Sequence, residues 1–343
     1  MESPLLATTG AVAAEFPDVG VAAHYGDPYA EQRALAQTAG LVDRSNRDIV
    51  KITGPDRLGW LNSLSTQRLD QLPPGRAEQT LILSPHGHVE HHLSLVDDGT
   101  HTWIHVESGE AGTLVGFLES MRFMLKVEVA DVSADFAVLT AMGPSAHPGV
   151  ADSAAAAMEF AFGTDLVVER GQLERTASAL RLRGFELAGM WAHEALRIAA
   201  HRPRFGTDTD HKTIPHEVGW IESAVHLDKG CYRGQETVAR VHNLGHPPRR
   251  LVMLHLDGSE DRLPDHADQV RREDTTVGFV GSAARHYELG PIALAMVKRT
   301  VPVTAVLQVG GISASQEVIV PPDAGANVKV PLIRRRGDLG QRA

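Results

Sequence analysis

Residues 229–240, Lys-Gly-Cys-Tyr-Arg-Gly-Gln-Glu-Thr-Val-Ala-Arg, carry the most specific information in this chain of 343 residues. They include the only cysteine, Cys231, which lies between two glycines that allow the backbone to approach a ligand closely. A helix is predicted to begin near Gln235. The start of that helix and the cations Lys229 and Arg233 favour a thiolate over a thiol. The segment therefore predicts either a reactive cysteine or, as for most isolated cysteines, a small buried side chain.

The composition excludes several classes of protein. Hydrophobic residues make up 43% and charged residues 22% of the chain, which is typical of an ordered globular protein. Because the formal net charge is −10, we expect no strong direct binding to nucleic acid. The longest uncharged stretch, residues 300–316, is interrupted by proline and glycine, so no membrane-spanning helix is expected. One cysteine and no secretory signal pattern indicate a cytoplasmic protein without disulfides.

The order of the predicted elements indicates an α+β fold and not a regular parallel α/β sheet. Residues 1–20, rich in Ala, Thr and Gly, are expected to form a flexible arm. The region 21–245 mixes helices with short strands and includes a β-meander over residues 78–106. From residue 246 to 333, short strands follow one another almost without helical periodicity, which predicts a small β-barrel. Residues 334–343 form a basic tail.

Further elements are predicted within these regions. Helices are expected near residues 151–158 and over residues 190–200. Strands are expected at residues 180–183 and, as the last strand of the barrel, at residues 328–332. The charges of the loop 201–205 are expected to be solvated.

The eight residues Lys-Gly-Cys-Tyr-x-Gly-Gln-Glu, at 229–236, resemble the signature of the YgfZ family of folate-binding proteins. That family is similar in fold to the T-protein, the aminomethyltransferase of the glycine cleavage system. The resemblance implies two intertwined α+β subdomains around a central folate pocket, with the barrel at the end. It also implies a tetrahydrofolate-binding accessory factor in the assembly or repair of iron–sulfur enzymes, including those that thiolate tRNA. Weaker matches to the T-protein fall at residues 24–28, 39–45, 54–56, 81–95, 184–186, 194–198 and 214–217.

The resemblance also implies roles for individual residues. Cys231 is expected to act as a thiolate toward a sulfur, cluster or redox species, with Lys229 and Arg233 supporting its ionisation. Glu186, in a Gly-x-Glu match, is expected to accept two hydrogen bonds from the edge of the pterin. The other candidate folate contacts are Arg197, for a carboxylate, Trp191 and Tyr232, for ring stacking, and Gln235.

Ordinary structural explanations of these residues remain open. Glu186 is equally explained as a surface carboxylate after a glycine turn, and Arg197 as a cation on a helix surface. Trp191 and Tyr232 are also explained as core aromatic residues.

One strand departs from the T-protein pattern. Where aminomethyltransferases carry adjacent aspartates, this chain has His91 and His92, preceded by Glu90. An imidazole does not supply the fixed negative charge that orients an amine, and a shift of one residue along a strand turns Glu90 to the other face. We therefore expect a retained folate pocket without ordinary aminomethyltransferase activity. The alternatives are a folate-dependent aminomethyltransferase or demethylase with an altered base, and a folate sensor or scaffold without catalysis.

Four histidines, His86, His88, His91 and His92, fall in one predicted hairpin. Imidazole suits zinc and copper, so a metal-binding hairpin is a further alternative. Because His91 and His92 face opposite sides of a strand, at most one of them can join the pair in the turn. We therefore predict no resident metal.

Overall fold

Two five-stranded sheets and a closed barrel form the framework of the protein, in a computed structural model that describes residues 1–146 and 148–327. The strands are β1 (Val12–Ala13), β2 (Ala22–His24), β3 (Gly40–Asp43), β4 (Asp48–Thr53), β5 (Ala77–Leu83), β6 (Val89–Asp97), β7 (His101–Val106), β8 (Glu128–Asp131), β9 (Phe136–Met142), β10 (Ala156–Phe160), β11 (Gly163–Glu169), β12 (Glu186–Ala188), β13 (Arg249–Leu256), β14 (Gln269–Arg272), β15 (Thr275–His286), β16 (Gly290–Lys298), β17 (Leu307–Val309) and β18 (Ile312–Val318). The helices are α1 (Pro28–Gln37), α2 (Arg57–Leu64), α3 (Ala111–Ser120), α4 (Leu173–Leu182), α5 (Met190–Ala199), α6 (Trp220–Ala224) and α7 (Gln235–Leu244). Short 3-10 helices occur at Pro4–Ala7, Pro148–Ser153, Arg170–Gln172 and Pro215–Glu217. In the described part of the chain, no helix has the length and apolarity needed to span a membrane.

The first sheet, in the antiparallel order β5-β6-β7-β4-β8, has one apolar and one polar face. Ile82, Leu93 and Ile104 belong to the apolar face, which packs against α2 and α3. Because side chains alternate along a strand, their neighbours turn to the opposite face. The polar side chains on that opposite face are Gln79, His92, Ser94 and His105. The predicted β-meander is confirmed as β5, β6 and β7.

The second sheet has the order β10-β11-β9-β3-β12, with β12 parallel to β3. Leu139 and Leu166 pack on α4, whereas Val138 and Val167 on the other face meet residues of the first sheet. Thr140 and Asp165 are paired across β9 and β11, and alternation places them on the face that meets the first sheet. The polar faces of both sheets therefore meet at the centre of the molecule.

The barrel, in the order β13-β16-β15-β14-β17-β18, closes the molecule at its C-terminal end. Alternate residues such as Val252 and Leu254 fill its interior, and the intervening Leu251 and Met253 pack on the body beside Trp220. The predicted α+β fold with a C-terminal barrel is confirmed. The predicted strand 328–332 and the basic tail 334–343 lie outside the described residues.

Three expectations about local structure were wrong. Residues 1–20 are not a loose arm, because Leu5 is buried in the core and Asp18 is paired with Arg204. The stretch 151–158 is not a helix, because most of β10 lies in it and pairs with β11. Residues 180–182 end α4 instead of forming a strand, because apolar residues three and four apart bury one face of that helix.

Candidate functional site

A central cavity lies where the polar faces of the two sheets approach α5. Its inner chamber, of about 80 Å³, is lined by residues of both sheets, including His92 and Asp165, and by Phe162 and Glu194. An outer chamber of about 720 Å³ adjoins it and is lined by Trp220, His216 and His242 among others. Both chambers share the residues Gln79, His92, Arg202 and Pro203. A ligand with one narrow end and one wide end fits this shape.

Asp165 is the most completely held carboxylate of the inner chamber. Its Oδ1 accepts hydrogen bonds from Thr140 Oγ1 at 2.6 Å and from Arg44 Nη1 at 3.1 Å. Its Oδ2 lies 2.9 Å from His105 Nε2, while His105 Nδ1 accepts from Arg47 Nε at 2.8 Å. His105 is therefore a neutral donor to Asp165. Burial opposes ionisation of Asp165, but Arg44 and His105 hold its pKa below the ordinary value.

A buried network of ion pairs surrounds the same chamber. Arg204 binds Asp18 through two hydrogen bonds, at 2.8 and 2.9 Å, and Glu107 at 2.9 Å. Burial opposes the charge of Arg204, but these carboxylates and Glu194 keep its pKa well above the ordinary value. The network joins the N-terminal segment, β7 and the loop after α5.

Arg197 lies at the cavity, but its guanidinium is already occupied. Nε and Nη2 bind Glu194, Nη1 binds Arg202 O and Asp208, and Nη2 also reaches Ser282 in the barrel. These contacts use all five N–H donors of the side chain. The expected pairing of Arg197 with a folate carboxylate is therefore corrected: Arg197 fixes the wall of the cavity to the barrel.

His92 forms a neutral wall between the two chambers. Its ring stacks on Trp220 with a centroid distance of 4.6 Å and an angle of 6°. Burial, followed by the charge of Arg47, lowers its pKa to about 3. Its Nε2 is buried and has no hydrogen-bond partner within the residues described. The position therefore presents an uncharged, unpaired polar atom to the cavity.

Arg202 is a cation of the cavity that sequence reasoning missed. Its guanidinium lies 5.2 Å from the centre of the Phe162 ring, and burial lowers its pKa. In residues 1–146 and 148–327, its guanidinium has no ion-pair or hydrogen-bond partner. The loop 201–205 was expected to be solvated, yet Arg204 is only 8% exposed and Arg202 lines both chambers. That expectation was wrong, because the partners of the loop are distant in sequence.

The segment that carries Cys231 forms a rigid loop on the β5–β6 turn. Lys229 Nζ donates to three carbonyl oxygens at the end of α2, at 2.5, 2.6 and 2.7 Å. Gly234 has a φ of 81°, and a Cβ there would lie 2.6 Å from Ser84 O, so only glycine suits this position. The helix predicted near Gln235 is confirmed as α7.

Cys231 itself is exposed, so the expectation of a buried small side chain was wrong. It is not among the residues that line the described cavities. Lys229 is engaged with carbonyl groups, and Arg233 Nη1 binds Glu90 at 2.6 Å. Both cations expected to support a thiolate therefore have other partners, and activation of the thiol stays a prediction.

The remaining candidate residues lie apart from the central cavity. Glu186 is exposed in a separate depression beside Tyr25 and Arg181, so the structure does not bring it to the cavity. Trp191 is 56% exposed in a cleft between α1, α5 and the barrel. Tyr232 is buried in the core, and Gln235 Nε2 lies 3.4 Å from Lys229 O. The burial of Tyr232 favours its explanation as a core aromatic residue.

Asp165, and not Glu186, lies at the central cavity. Both follow a glycine by two residues, in Gly163-Thr164-Asp165 and Gly184-Phe185-Glu186. The usable signal was the position of Asp165 directly before the apolar run 166–168 of β11, which is buried on both faces. An acidic residue inside such a strand requires a buried partner.

Within the histidine hairpin, His91 and His92 lie on opposite faces of the strand, as strand alternation predicts. His91 Nδ1 lies 3.3 Å from Glu110, on the side away from the cavity, whereas His92 lines the cavity. His86 and His88 stay in the turn, with ring centres 6.4 Å apart. Among the described residues, no three His, Cys, Asp or Glu side chains form a group that could hold a metal ion.

The two sheets, the barrel and the cavity between them define an α+β fold of the aminomethyltransferase type. Two family models match the chain: the GCVT N-terminal domain over residues 4–165 and the Glycine cleavage T-protein C-terminal barrel domain over residues 249–332. Together they cover more than half of the chain. The chain therefore carries both of these domains in the order in which the models match.

Individual relatives agree with this assignment. The chain is 27% identical to an aminomethyltransferase of Geobacillus kaustophilus, with 86% of this chain and 89% of the relative covered. It is 26% identical to an aminomethyltransferase of Nostoc, covering 78% of this chain and 79% of the relative. The solved aminomethyltransferase T of the glycine cleavage system from Bartonella henselae shares the fold, with a TM-score of 0.78 at 19% identity over 95% of this chain and 98% of the other.

The buried neutral histidines predict that acid destabilises the protein. Unfolded histidine takes up a proton near pH 6.5, whereas the pKa of folded His105 is lowered to about 4 and that of His92 to about 3. Between pH 6.5 and 4 the unfolded state binds more protons, so the free energy of unfolding falls as the pH falls. His92→Phe keeps a ring on Trp220 and should reduce this fall by up to about 3 kcal/mol in urea unfolding.

The matched control is His211→Phe at an exposed position, which should follow the wild-type pH profile. Identical profiles for wild type and His92→Phe would show that His92 is not held neutral.

Proposed function

We propose that the protein binds a reduced folate, tetrahydrofolate or a derivative, in the central cavity. The pterin would occupy the inner chamber and the benzoylglutamate part the outer chamber. The observation that carries this proposal is the pair of unpartnered polar groups, Arg202 and His92 Nε2, where the two chambers meet. His92 Nε2 is buried, and a buried polar atom of this kind is costly unless a ligand or water satisfies it. Arg202 is half-buried, and its guanidinium can donate hydrogen bonds to a ligand. The two matched domains and the names of the relatives support the same ligand.

The residues of the inner chamber fit the chemistry of a pterin. Asp165 accepts three hydrogen bonds and retains capacity for another, which an amino-pyrimidinone edge can supply. Phe162 and the guanidinium of Arg202 provide flat surfaces. When bound, a reduced folate would supply the nitrogen that carries a one-carbon unit.

The ion pairs of the cavity argue against a one-carbon transfer in which an unpaired carboxylate acts as the base. The acidic residues that line the inner chamber each pair with arginine: Asp18 with Arg204, Glu107 with Arg47, Asp165 with Arg44, and Glu194 with Arg197. A carboxylate in a buried ion pair does not act as a free base toward an amine. His92 is neutral and supplies no fixed negative charge.

We therefore propose an accessory role, in the assembly or repair of iron–sulfur enzymes, including those that thiolate tRNA. The resemblance of residues 229–236 to the YgfZ signature suggests this role, and Cys231 would be the reacting group. Two observations support it: the thiol is exposed, and Lys229 and Gly234 fix the loop that carries it. An exposed thiol on a fixed loop can meet a macromolecular partner.

The second candidate is a folate-dependent aminomethyltransferase or demethylase with an altered base. The names of the relatives and the shared fold favour it. His92 lines the inner chamber and is the side chain of β6 available for this role. Glu90 is the only acidic residue of β6 near it in sequence, but the register of β6 against β5 shifts at Glu90, so strand alternation does not place the two on one face. Glu90 would first have to leave Arg233.

Binding of tetrahydrofolate tests the proposed cavity. Arg202→Met should weaken binding at least about tenfold in a calorimetric titration, because a charged hydrogen bond is lost. The thermal unfolding midpoint should change little, since the described contact of the guanidinium is with the Phe162 ring, which a methionine side chain can also cover. Glu186→Gln is the control and should bind as the wild type does. If Glu186→Gln lost binding and Arg202→Met did not, the pterin site would be the depression beside Tyr25. If the wild type did not bind tetrahydrofolate, the proposal would be refuted.

An assay of one-carbon transfer distinguishes the accessory role from the transferase. With tetrahydrofolate and an aminomethyl donor, we expect wild type to release no product above the level without enzyme, because no free carboxylate faces the reacting atoms. In cells that lack the protein, Cys231→Ala should fail to restore the activity of iron–sulfur enzymes, while folding normally. Rapid turnover that is lost in Glu90→Gln or His92→Ala would favour the transferase.

A further inference from the structure

His216 is a buried histidine in the wall of the outer chamber. Its side chain belongs to a residue only 6% exposed, and both ring nitrogens are buried without a hydrogen-bond partner in the described part of the chain. A buried donor and a buried acceptor left unpaired destabilise the folded protein. A histidine at this position therefore lowers the stability of the folded protein, and packing alone does not explain why it is there.

The backbone around His216 holds the ring in this place. The residue lies in the 3-10 turn Pro215–Glu217, and the Glu217 carboxylate accepts from Ile214 N at 3.1 Å. The same carboxylate binds Arg249 at the start of β13, at 2.8 Å. The turn is therefore tied to the barrel at one side.

The ring of His216 is neutral at physiological pH. Burial, followed by the nearby ring of His242, lowers its pKa to about 4. The ring centres of His216 and His242 are 6.2 Å apart. A neutral imidazole offers one N–H donor and one nitrogen acceptor. Because the two nitrogens point in divergent directions, one amide of a ligand pairs with one of them: its C=O accepts from the ring N–H, or its N–H donates to the other nitrogen.

We infer that His216 recognises the amide that joins the benzoyl ring to the glutamate of a bound folate. This inference rests on the proposed function, because a pterin in the inner chamber directs the rest of the molecule past His92 and Arg202 into the outer chamber. His216 is then a specificity-determining residue: it distinguishes folates from pterins that lack the benzoylglutamate part.

The inference predicts opposite effects of one substitution on stability and on binding. His216→Leu removes an unpaired polar ring, so the thermal midpoint of the ligand-free protein should rise by about 2 °C. The same variant should bind tetrahydrofolate about tenfold more weakly. Its affinity for 6-methyltetrahydropterin, which has no amide of this kind, should equal that of the wild type.

Two further variants complete the design. His216→Gln keeps a donor and an acceptor and should retain most of the affinity for tetrahydrofolate. His211→Leu, at an exposed position five residues earlier, should change neither the affinity nor the midpoint. If His216→Leu does not fold, His216→Met provides the apolar comparison with His216→Gln.

The outcomes separate this inference from the proposed function. Unchanged affinity of folded His216→Leu for tetrahydrofolate, or equal losses for tetrahydrofolate and 6-methyltetrahydropterin, would overturn the role of His216 and leave the folate cavity in place. A wild-type protein that binds neither compound would overturn the proposed function and this inference together.

Discussion

The structure depends on the pairing of charges buried around Arg197 and Arg204. These two side chains connect parts of the chain that are far apart in sequence: Asp18, Glu107, Asp208 and, in the barrel, Ser282. Removing one partner from a buried ion pair costs about 3–5 kcal/mol, because the remaining charge is left in a poor solvent. The network therefore fixes the N-terminal segment, the first sheet, α5 and the barrel around one cavity.

The same pairing decides what chemistry the cavity can support. Because the network neutralises the carboxylates of the inner chamber, none of those on the described wall is free to act as a base. The wall strand adds His92, which is neutral. The unpaired groups on the described cavity wall that a ligand can use include His92 Nε2, Asn46 Oδ1 and the ring of His216, together with the half-buried Arg202. This set is suited to binding and orienting a ligand more than to moving protons.

Local patterns in the sequence were sufficient to predict the framework of strands and helices. The barrel strands, the β-meander and α7 follow from alternation, turn residues and the glycine at the start of the helix. Strand alternation also separated His91 from His92 correctly. The contacts between distant segments could not be predicted in this way. The burial of loop 201–205 depends on Asp18, which is 186 residues away from Arg204, and periodicity carries no information about such a pair.

The candidate site was predicted less completely than the fold. A short Gly-x-acid pattern occurs twice, and only the three-dimensional arrangement shows that Asp165, and not Glu186, reaches the centre. The donors of Arg197 are likewise used within the protein, which a single sequence does not reveal. Cys231 was identified from its motif, and its exposure follows from a loop held by Lys229.

A crystal structure of the protein with tetrahydrofolate bound tests the central claim most directly. The account predicts the pterin in the inner chamber, within hydrogen-bond distance of Asp165 or Arg202, and the benzoylglutamate part in the outer chamber beside His216. A pterin bound beside Glu186, or in the cleft of Trp191, with Arg202 still unpaired, would contradict it.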